Sequence, residues 1–304
     1  MKGILVFFSL TGNTKKIARA IHRGMTPLMV QCDIVRLKDV DTSHLQNCDL
    51  IGIGSPVWGA VPQHVERFIN ALPDVQGKYA FAFSTHGARG GRFFPIIVKL
   101  LKKKGLKTIG IRDWYGSVYL PMHPKPYLTD GHPDMIDLEE ATSFGKEMAE
   151  LCLRIQTEGP QVIPKLPKMP LPPATRLRRP RPKFDSQRCR YPGCTLCVDH
   201  CPINGIDLSA TPPVFGKNCL TCHFCEMICP EGAIYVDYDA FVKKSTRRGK
   251  SIYMKALEDA EAEGRFRRLV PIKDIHWDTP YFKIFHQHPR YIISDESDTE
   301  AEPI

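Results

Sequence analysis

Eight of the eleven cysteines in this 304-residue chain fall between Cys189 and Cys229. The second run reads Cys219-Leu-Thr-Cys222-His-Phe-Cys225-Glu-Met-Ile-Cys229-Pro230. It follows the spacing C-x2-C-x2-C-x3-C-P at every position. Three closely spaced thiolates on one loop can hold three corners of a cubane [4Fe–4S] cluster, and the fourth reaches across to a second cluster. The first run reads Cys189-Arg-Tyr-Pro-Gly-Cys194-Thr-Leu-Cys197-Val-Asp-His-Cys201-Pro202, with a two-residue insertion after its first cysteine. Tyr191-Pro192-Gly193 forms a turn that absorbs the extra length. Cys194, Cys197, Cys201 and Pro202 recur 28 positions later as Cys222, Cys225, Cys229 and Pro230. The alternative is a pair of structural zinc sites with four ligands each, but three cysteines at successive x2 spacing before Cys-Pro are rare in zinc motifs.

The pattern assigns one cluster to Cys189, Cys194, Cys197 and Cys229, and the other to Cys201, Cys219, Cys222 and Cys225. His200 and His223 lie inside the runs and are expected to be solvated or hydrogen-bonding, because eight thiolates already complete both cubes. Over about 50 residues the block resembles a two-cluster bacterial ferredoxin.

A second constellation lies near the N-terminus. Ser9-Leu10-Thr11-Gly12-Asn13-Thr14 joins an apolar strand to a helix. Hydroxyls and N–H groups at a helix N-terminus form an anion site, and Gly12 lets the backbone approach it. No Lys stands at the P-loop position, which argues against a nucleoside triphosphate. A plain helix cap from Asn13 or Thr14 is the alternative. Two more loops follow strands: Gly54-Ser55-Pro56-Val57-Trp58-Gly59, and Ser84-Thr85-His86-Gly87-Ala88-Arg89-Gly90-Gly91.

Together these loops resemble the FMN site of flavodoxins. The resemblance implies that Trp58 stacks on the isoalloxazine and that the Gly59 carbonyl meets N5–H of the half-reduced flavin. Thr85, His86, Gly87, Gly90 and Gly91 would line the flavin edge. His86 is the candidate catalytic residue, as a proton donor towards the flavin or a substrate, with a plain loop hydrogen bond as its alternative. His123 and Tyr127 are candidates to cover the flavin. Flavodoxins often place acidic residues after the aromatic–Gly pair. Here Ala60, Val61 and Pro62 follow, with His64, Arg89 and Arg92 near, so the reduced flavin is expected to form more easily.

These groups need a scaffold. Apolar runs at Ile4–Phe8, Val30–Leu37, Leu50–Ile53, Tyr79–Phe83 and Lys107–Ile111 read as strands. Helical spacing appears at Asn13–Arg23, around Val65–Leu72, at Phe93–Lys103 and at Asp134–Gln156. Alternation of this kind predicts an α/β fold, a five-stranded doubly wound parallel sheet of order 2-1-3-4-5, followed by a small α+β two-cluster ferredoxin domain. The three loops follow strands one, three and four, where such a sheet opens its crevice.

The expected domains are 1–158 (flavodoxin-like), 159–186 (a Pro/Arg-rich linker), 187–239 (two-cluster ferredoxin) and 240–304 (a C-terminal extension). The extension reads as a short helix at Ile252–Glu263, an aromatic segment around Trp277, Tyr281, Phe282 and Phe285, and a disordered acidic end. The aromatic segment is either a strap on one domain or, with His286 and His288, a lid on a substrate pocket.

Hydrophobic residues make up 42% and charged residues 25% of the chain, a globular composition. No apolar run approaches the ~20 residues of a membrane span. The start of the chain shows no export signal, and abundant thiols fit a reducing compartment, so a cytoplasmic location is expected. The net charge is +9, almost all of it in the Pro-rich linker, which lacks aromatic interleaving; nucleic acid is not expected as a partner. The whole resembles the flavodoxin–ferredoxin fusion proteins of anaerobic bacteria and archaea. That implies electron transfer between FMN and two [4Fe–4S] clusters and on to a redox partner protein. The alternative is an FMN-dependent reductase of a small acceptor such as a quinone, fed by the clusters.

Overall fold

The computed structural model describes residues 1–169, 171–173 and 179–293, side chains at 240 and 243–249 excepted. The acidic end read as disordered and part of the Pro/Arg-rich linker lie outside these residues. The chain divides into two compact units, which take in the described residues of Met1–Tyr119, Pro126–Leu177 and Gly249–Ile275 (first) and of Leu120–Lys125, Arg178–Arg248 and His276–Ile304 (second).

The first unit alternates strand and helix: β1 (Lys2–Phe7), α1 (Asn13–Met25), β2 (Gln31–Arg36), β3 (Leu50–Pro56), α2 (Gln63–Ala71), β4 (Tyr79–His86), α3 (Phe93–Lys103), β5 (Lys107–Tyr115) and α4 (Met135–Glu158). All strand pairings are parallel, in the order β2-β1-β3-β4-β5. Strand alternation sends Leu5, Phe7, Phe81 and Phe83 to the face covered by α1 and α4, where they meet Ile17, Ile21, Phe144 and Met148. Ile4, Val6, Ile51 and Ile53 face α2 and α3, meeting Val65, Ile69, Ile97 and Leu101. Burial on both faces explains why these strands read as continuous apolar runs. Gly24 and Gly145 let α1 and α4 cross closely, since a Cβ at either would strike the other helix's backbone.

Three strands run past their apolar cores. β3 adds Gly54, Ser55 and Pro56, β4 adds Ser84, Thr85 and His86, and β5 extends to Tyr115. These polar ends stay in the ladder because their neighbours supply backbone partners, as Ser55↔Ser84 and Pro56↔Thr85 do.

The second unit is small: β6 (Lys183–Phe184), α5 (Leu196–Asp199), β7 (Ile206–Asp207), β8 (Val214–Phe215), α6 (Phe224–Ile228) and β9 (Ile234–Tyr235). β6 pairs with β9 and β7 with β8, both antiparallel. β6 falls within the stretch read as linker. Arg181 donates to the carbonyls of Phe215 and Gly216, and Phe184 stacks on Phe215 at 4.6 Å. The end of the Pro-rich stretch is therefore part of this unit.

The segment after Tyr238 is longer in helix than its apolar period shows. Helix α7 covers Asp239–Ala262, starting well before the Ile252–Glu263 helix read from the sequence. Its residues from 249 belong to the first unit, where Leu257 and Ala260 are buried. A final helix, α8 (Tyr281–Ile284), lies in the second unit. There the aromatic segment is a strap: Phe282 packs on Tyr238 at 5.1 Å, Tyr291 on Phe224 at 5.8 Å, and Arg290 pairs with buried Glu226.

Candidate functional site

In the first unit the three loops meet at Thr85. Its hydroxyl lies 2.8 Å from that of Thr14, on the first turn of α1. Its carbonyl accepts the Val57 N–H at 2.9 Å. One residue at the end of β4 thus ties the loop after β1 to the loop after β3. Asn13 donates its side-chain amide to Ser117 at 2.7 Å, bringing in the loop after β5.

The N-terminus of α1 is prepared for an anion. Gly12 stands at the N-cap with φ 86°, no side chain caps the helix, and the first turn holds no acid. The sequence alternative of a plain cap by Asn13 or Thr14 is not what forms, since both side chains bond elsewhere. Uncapped N–H groups at a helix N-terminus can take a ligand with negative charge. Ser9, Leu10 and Thr11 are half-buried before it.

Ser55 is fully buried and donates to the Pro56 carbonyl at 3.0 Å. Trp58 is half-buried, edge-on to Phe8 at 5.6 Å. Gly59 is exposed, with φ 78° and open space where a Cβ would project. Its carbonyl accepts the Arg92 N–H at 3.0 Å. Gly91 makes that contact possible: a Cβ there would sit 2.6 Å from the Gly59 oxygen.

His64 departs from its expected role. It is buried against Phe8 at 4.1 Å and Trp58 at 6.1 Å, and neither ring nitrogen has a hydrogen-bond partner among the described residues. Burial, then the charge of Arg67, lowers its pKa to about 4. It is neutral at pH 7 and adds no positive charge beside the loops; Arg89 and Arg92 remain.

His86 ends β4, buried, with its Nε2 2.8 Å from Asp113 Oδ2 on β5. Nδ1 is sealed from solvent and has no hydrogen-bond partner among the described residues. Gly90 lies beside this pair, and Gly87 is packed under Val118. Asp113 carried no signal in the sequence, because its partner is 27 residues away. His123 and Tyr127 separate: His123 belongs to the second unit, where its carbonyl accepts the Tyr281 N–H at 2.8 Å, and buried Tyr127 to the first.

A flavodoxin-domain profile matches residues 4–95. The chain is 28% identical over 182 residues to a flavodoxin of Aquifex aeolicus, covering 56% of this chain and 96% of that one. The first unit is a flavodoxin-like domain. A solved archaeal flavodoxin is 24% identical, covering 50% of this chain and 99% of that one, at a TM-score of 0.42. Over 56 residues the chain is 31% identical to an uncharacterised ferredoxin of Methanocaldococcus jannaschii, covering 18% of this chain and 90% of that one. The loops tied at Thr85 stand at the strand ends where a doubly wound domain of this kind opens its crevice.

In the second unit Cys201 of the first run lines one pocket with Cys219, Cys222 and Cys225 of the second, walled also by Ile203, Ile206 and Phe215. The charges of Cys229, Cys189 and Cys194 act on Cys197, and the charge of Cys197 acts in turn on Cys225. Backbone N–H groups point at three sulfurs: Gly205 to Cys201 at 3.1 Å, Ala233 to Cys229 at 3.3 Å and Thr221 to Cys219 at 3.5 Å. Such donors favour thiolates. Burial opposes them, pushing the Cys222 thiol up to about 11 and Cys197 up to about 12; a bound cation would reverse that cost. His223 is buried and bonds to the Pro180 carbonyl at 2.8 Å, whereas His200 is half-buried.

Proposed function

We propose that this chain is an electron-transfer protein. FMN binds the flavodoxin-like domain, and two [4Fe–4S] clusters bind the cysteines of the second unit. The observation that carries the reading is the pocket that Cys201 of the first run shares with Cys219, Cys222 and Cys225 of the second, in one chain with a domain whose loops suit a flavin. Bound FMN would exchange one or two electrons and each cluster one, which makes the pair a converter between the two currencies.

The residues divide the work. The first N–H groups of α1 with Ser9, Thr11 and Thr14 would hold the phosphate. Ser55 to Gly59 and Thr85 to Gly91 would flank the ring, with Trp58 as its aromatic wall. Cys189, Cys194, Cys197 and Cys229 would ligate one cluster, and Cys201, Cys219, Cys222 and Cys225 the other. Apolar Ile203, Ile206 and Phe215 would keep water from the second set. Eight thiolates could also fill two four-cysteine zinc sites, but three cysteines at successive x2 spacing before Cys-Pro suit a cube with bridging sulfides. The electrons would pass to a redox partner protein. The second unit between 193 and 239 holds one Lys against six acids; Glu226 is buried on Arg290, and the other five suit a basic patch on that partner.

A second reading, a flavin-dependent reductase of a small acceptor, is favoured by one observation: the sealed Nδ1 of His86, backed by Asp113. Turnover of a quinone that disappears in His86→Gln while bound FMN and iron are retained would support it.

The test is anaerobic purification of the full chain with flavin, iron and sulfide quantified, followed by stepwise reduction. About one flavin and eight iron per chain are expected. A colourless or zinc-filled preparation would end the proposal, and so would flavin and clusters that do not exchange electrons on rapid mixing.

A further inference from the structure

We infer that the short segment following α7, Gly264 to Leu269, is a working part of the flavin site, clamped to the flavodoxin-like domain by a positively charged His132. The inference rests on the FMN reading above.

The protonation state follows from geometry. His132 is buried. Its Nδ1 lies 2.6 Å from Asp137 Oδ2, and its Nε2 lies 2.8 Å from the Arg267 carbonyl. A carbonyl can only accept. Asp137 is ionised, because Oδ2 also accepts the Asp134 N–H at 2.8 Å and Oδ1 accepts from Arg267 at 3.1 Å. Both ring nitrogens must therefore donate, which only the imidazolium can do.

Charge balance agrees. Arg267 forks onto Asp134 through two bonds of 2.7 Å. Two cations, His132 and Arg267, face two carboxylates, Asp134 and Asp137. A neutral His132 would leave an unbalanced negative charge. Three ligand atoms of His132, Asp134 and Asp137 lie within 4.8 Å of one another, a spacing that a metal ion could use, but the guanidinium already occupies that role. Tyr115 is the other titratable group facing the ring, at 6.1 Å. Burial works against the His132 charge, but the bonds to Asp137 and the Arg267 carbonyl outweigh it and raise the pKa.

What the clamp holds leads to the flavin loops. Leu269 lies over Gly131, where a Cβ would meet it at 2.9 Å. Phe266 is buried against Tyr115 at 4.7 Å, and Tyr115 meets the His86 ring at 4.8 Å. The segment thus reaches His86, whose Nδ1 has no hydrogen-bond partner among the described residues, through the packing of Phe266 on Tyr115. Phe266 is the positioning residue, and His132 and Arg267 hold it.

The sign of the pH dependence is fixed. A raised imidazole pKa gives a clamp that is whole below the ordinary histidine range and lost as pH rises through the raised value.

The experiment uses the full chain, wild type, His132→Gln and Arg267→Ala, between about pH 6 and 9. Two readouts are taken together: trypsin cleavage at Arg265 and Arg268, and the FMN dissociation constant from flavin fluorescence quenching. Both variants should be cleaved faster and bind FMN more weakly, on the order of tenfold. The wild type should show both changes together as pH rises, and His132→Gln should show no such pH dependence. The wild-type titration stands alone if a variant does not fold. A released segment with unchanged FMN affinity overturns the inference and leaves the FMN reading intact. Unchanged cleavage overturns the clamp. Wild-type protein that binds no FMN at any pH overturns the reading beneath it.

Discussion

The amide of Arg92 donates to the carbonyl of Gly59 at 3.0 Å, joining the loop after β4 to the loop after β3. Only a glycine at 91 admits the contact, since its φ is 57° and a Cβ would sit 2.6 Å from the Gly59 oxygen. Gly91→Ala should therefore push the Val57–Gly59 loop out of place and weaken FMN binding. The left-handed backbone alone costs about 1–2 kcal/mol. Gly77→Ala is the control, because Gly77 has φ 81° but nothing within 4 Å of a Cβ. Both variants should lose stability in urea, Gly91→Ala the more because of its clash with the Gly59 oxygen, and only Gly91→Ala should lose FMN affinity. Equal FMN affinity in the two would show that the Gly59–Arg92 contact does not shape the site.

Thr14 and Thr85 give a second prediction. Their hydroxyls are buried and 2.8 Å apart. Thr14→Val leaves the Thr85 hydroxyl without its partner, at a cost of about 1–3 kcal/mol. The double variant Thr14→Val/Thr85→Val should be less destabilised than the sum of the single ones. Urea unfolding of the four proteins measures the coupling. Strict additivity would mean the contact holds nothing.

The strands and helices of the first unit were readable because their apolar residues keep the period of a buried parallel sheet and its covering helices. Phe93–Lys103 stands where its spacing put it. The strand ends were missed, as Ser84, Thr85, His86 and Asp113 carry no apolar period and are held by ladder partners from other strands. The site divides in the same way. Gly12, Trp58 and the eight cysteines announce themselves by local spacing. The pairs His86–Asp113 and His132–Arg267 do not, being 27 and 135 residues apart. The sequence groups His64 with Arg89 and Arg92 as making the flavin's surroundings less negative, but its burial against Phe8 and Trp58 keeps it neutral.

That burial has a pH signature. The pKa of His64 falls from 6.5 to about 4 in the folded protein. Above the unfolded value both states are neutral and the group is silent. As pH falls below it, the unfolded chain takes up a proton that the folded one refuses, so stability drops until the folded value is reached. The loss is at most about 3 kcal/mol. His64→Phe should flatten this part of the stability curve, while the wild type loses stability between about pH 6.5 and 4. Urea unfolding at several pH values measures both. Parallel curves would mean that His64 takes up its proton without leaving its pocket.

The two cysteine sets predict independent losses. Cys222 lines the pocket with Cys201, Cys219 and Cys225, and the charges of Cys229, Cys189 and Cys194 act on Cys197. In the proposed arrangement the sets cross the two sequence runs, with Cys201 from the first joining the second and Cys229 from the second joining the first. Cys229→Ser should therefore damage the same cluster as Cys197→Ser, although Cys229 is only four residues from Cys225. Cys201→Ser should damage the same cluster as Cys222→Ser. Each single variant should fall from about eight iron to about four, with bound flavin unchanged. The electron paramagnetic resonance signal that survives in Cys229→Ser should match that of Cys197→Ser and differ from that of Cys222→Ser. If it matches Cys222→Ser instead, each run ligates its own cluster and the crossed arrangement is wrong.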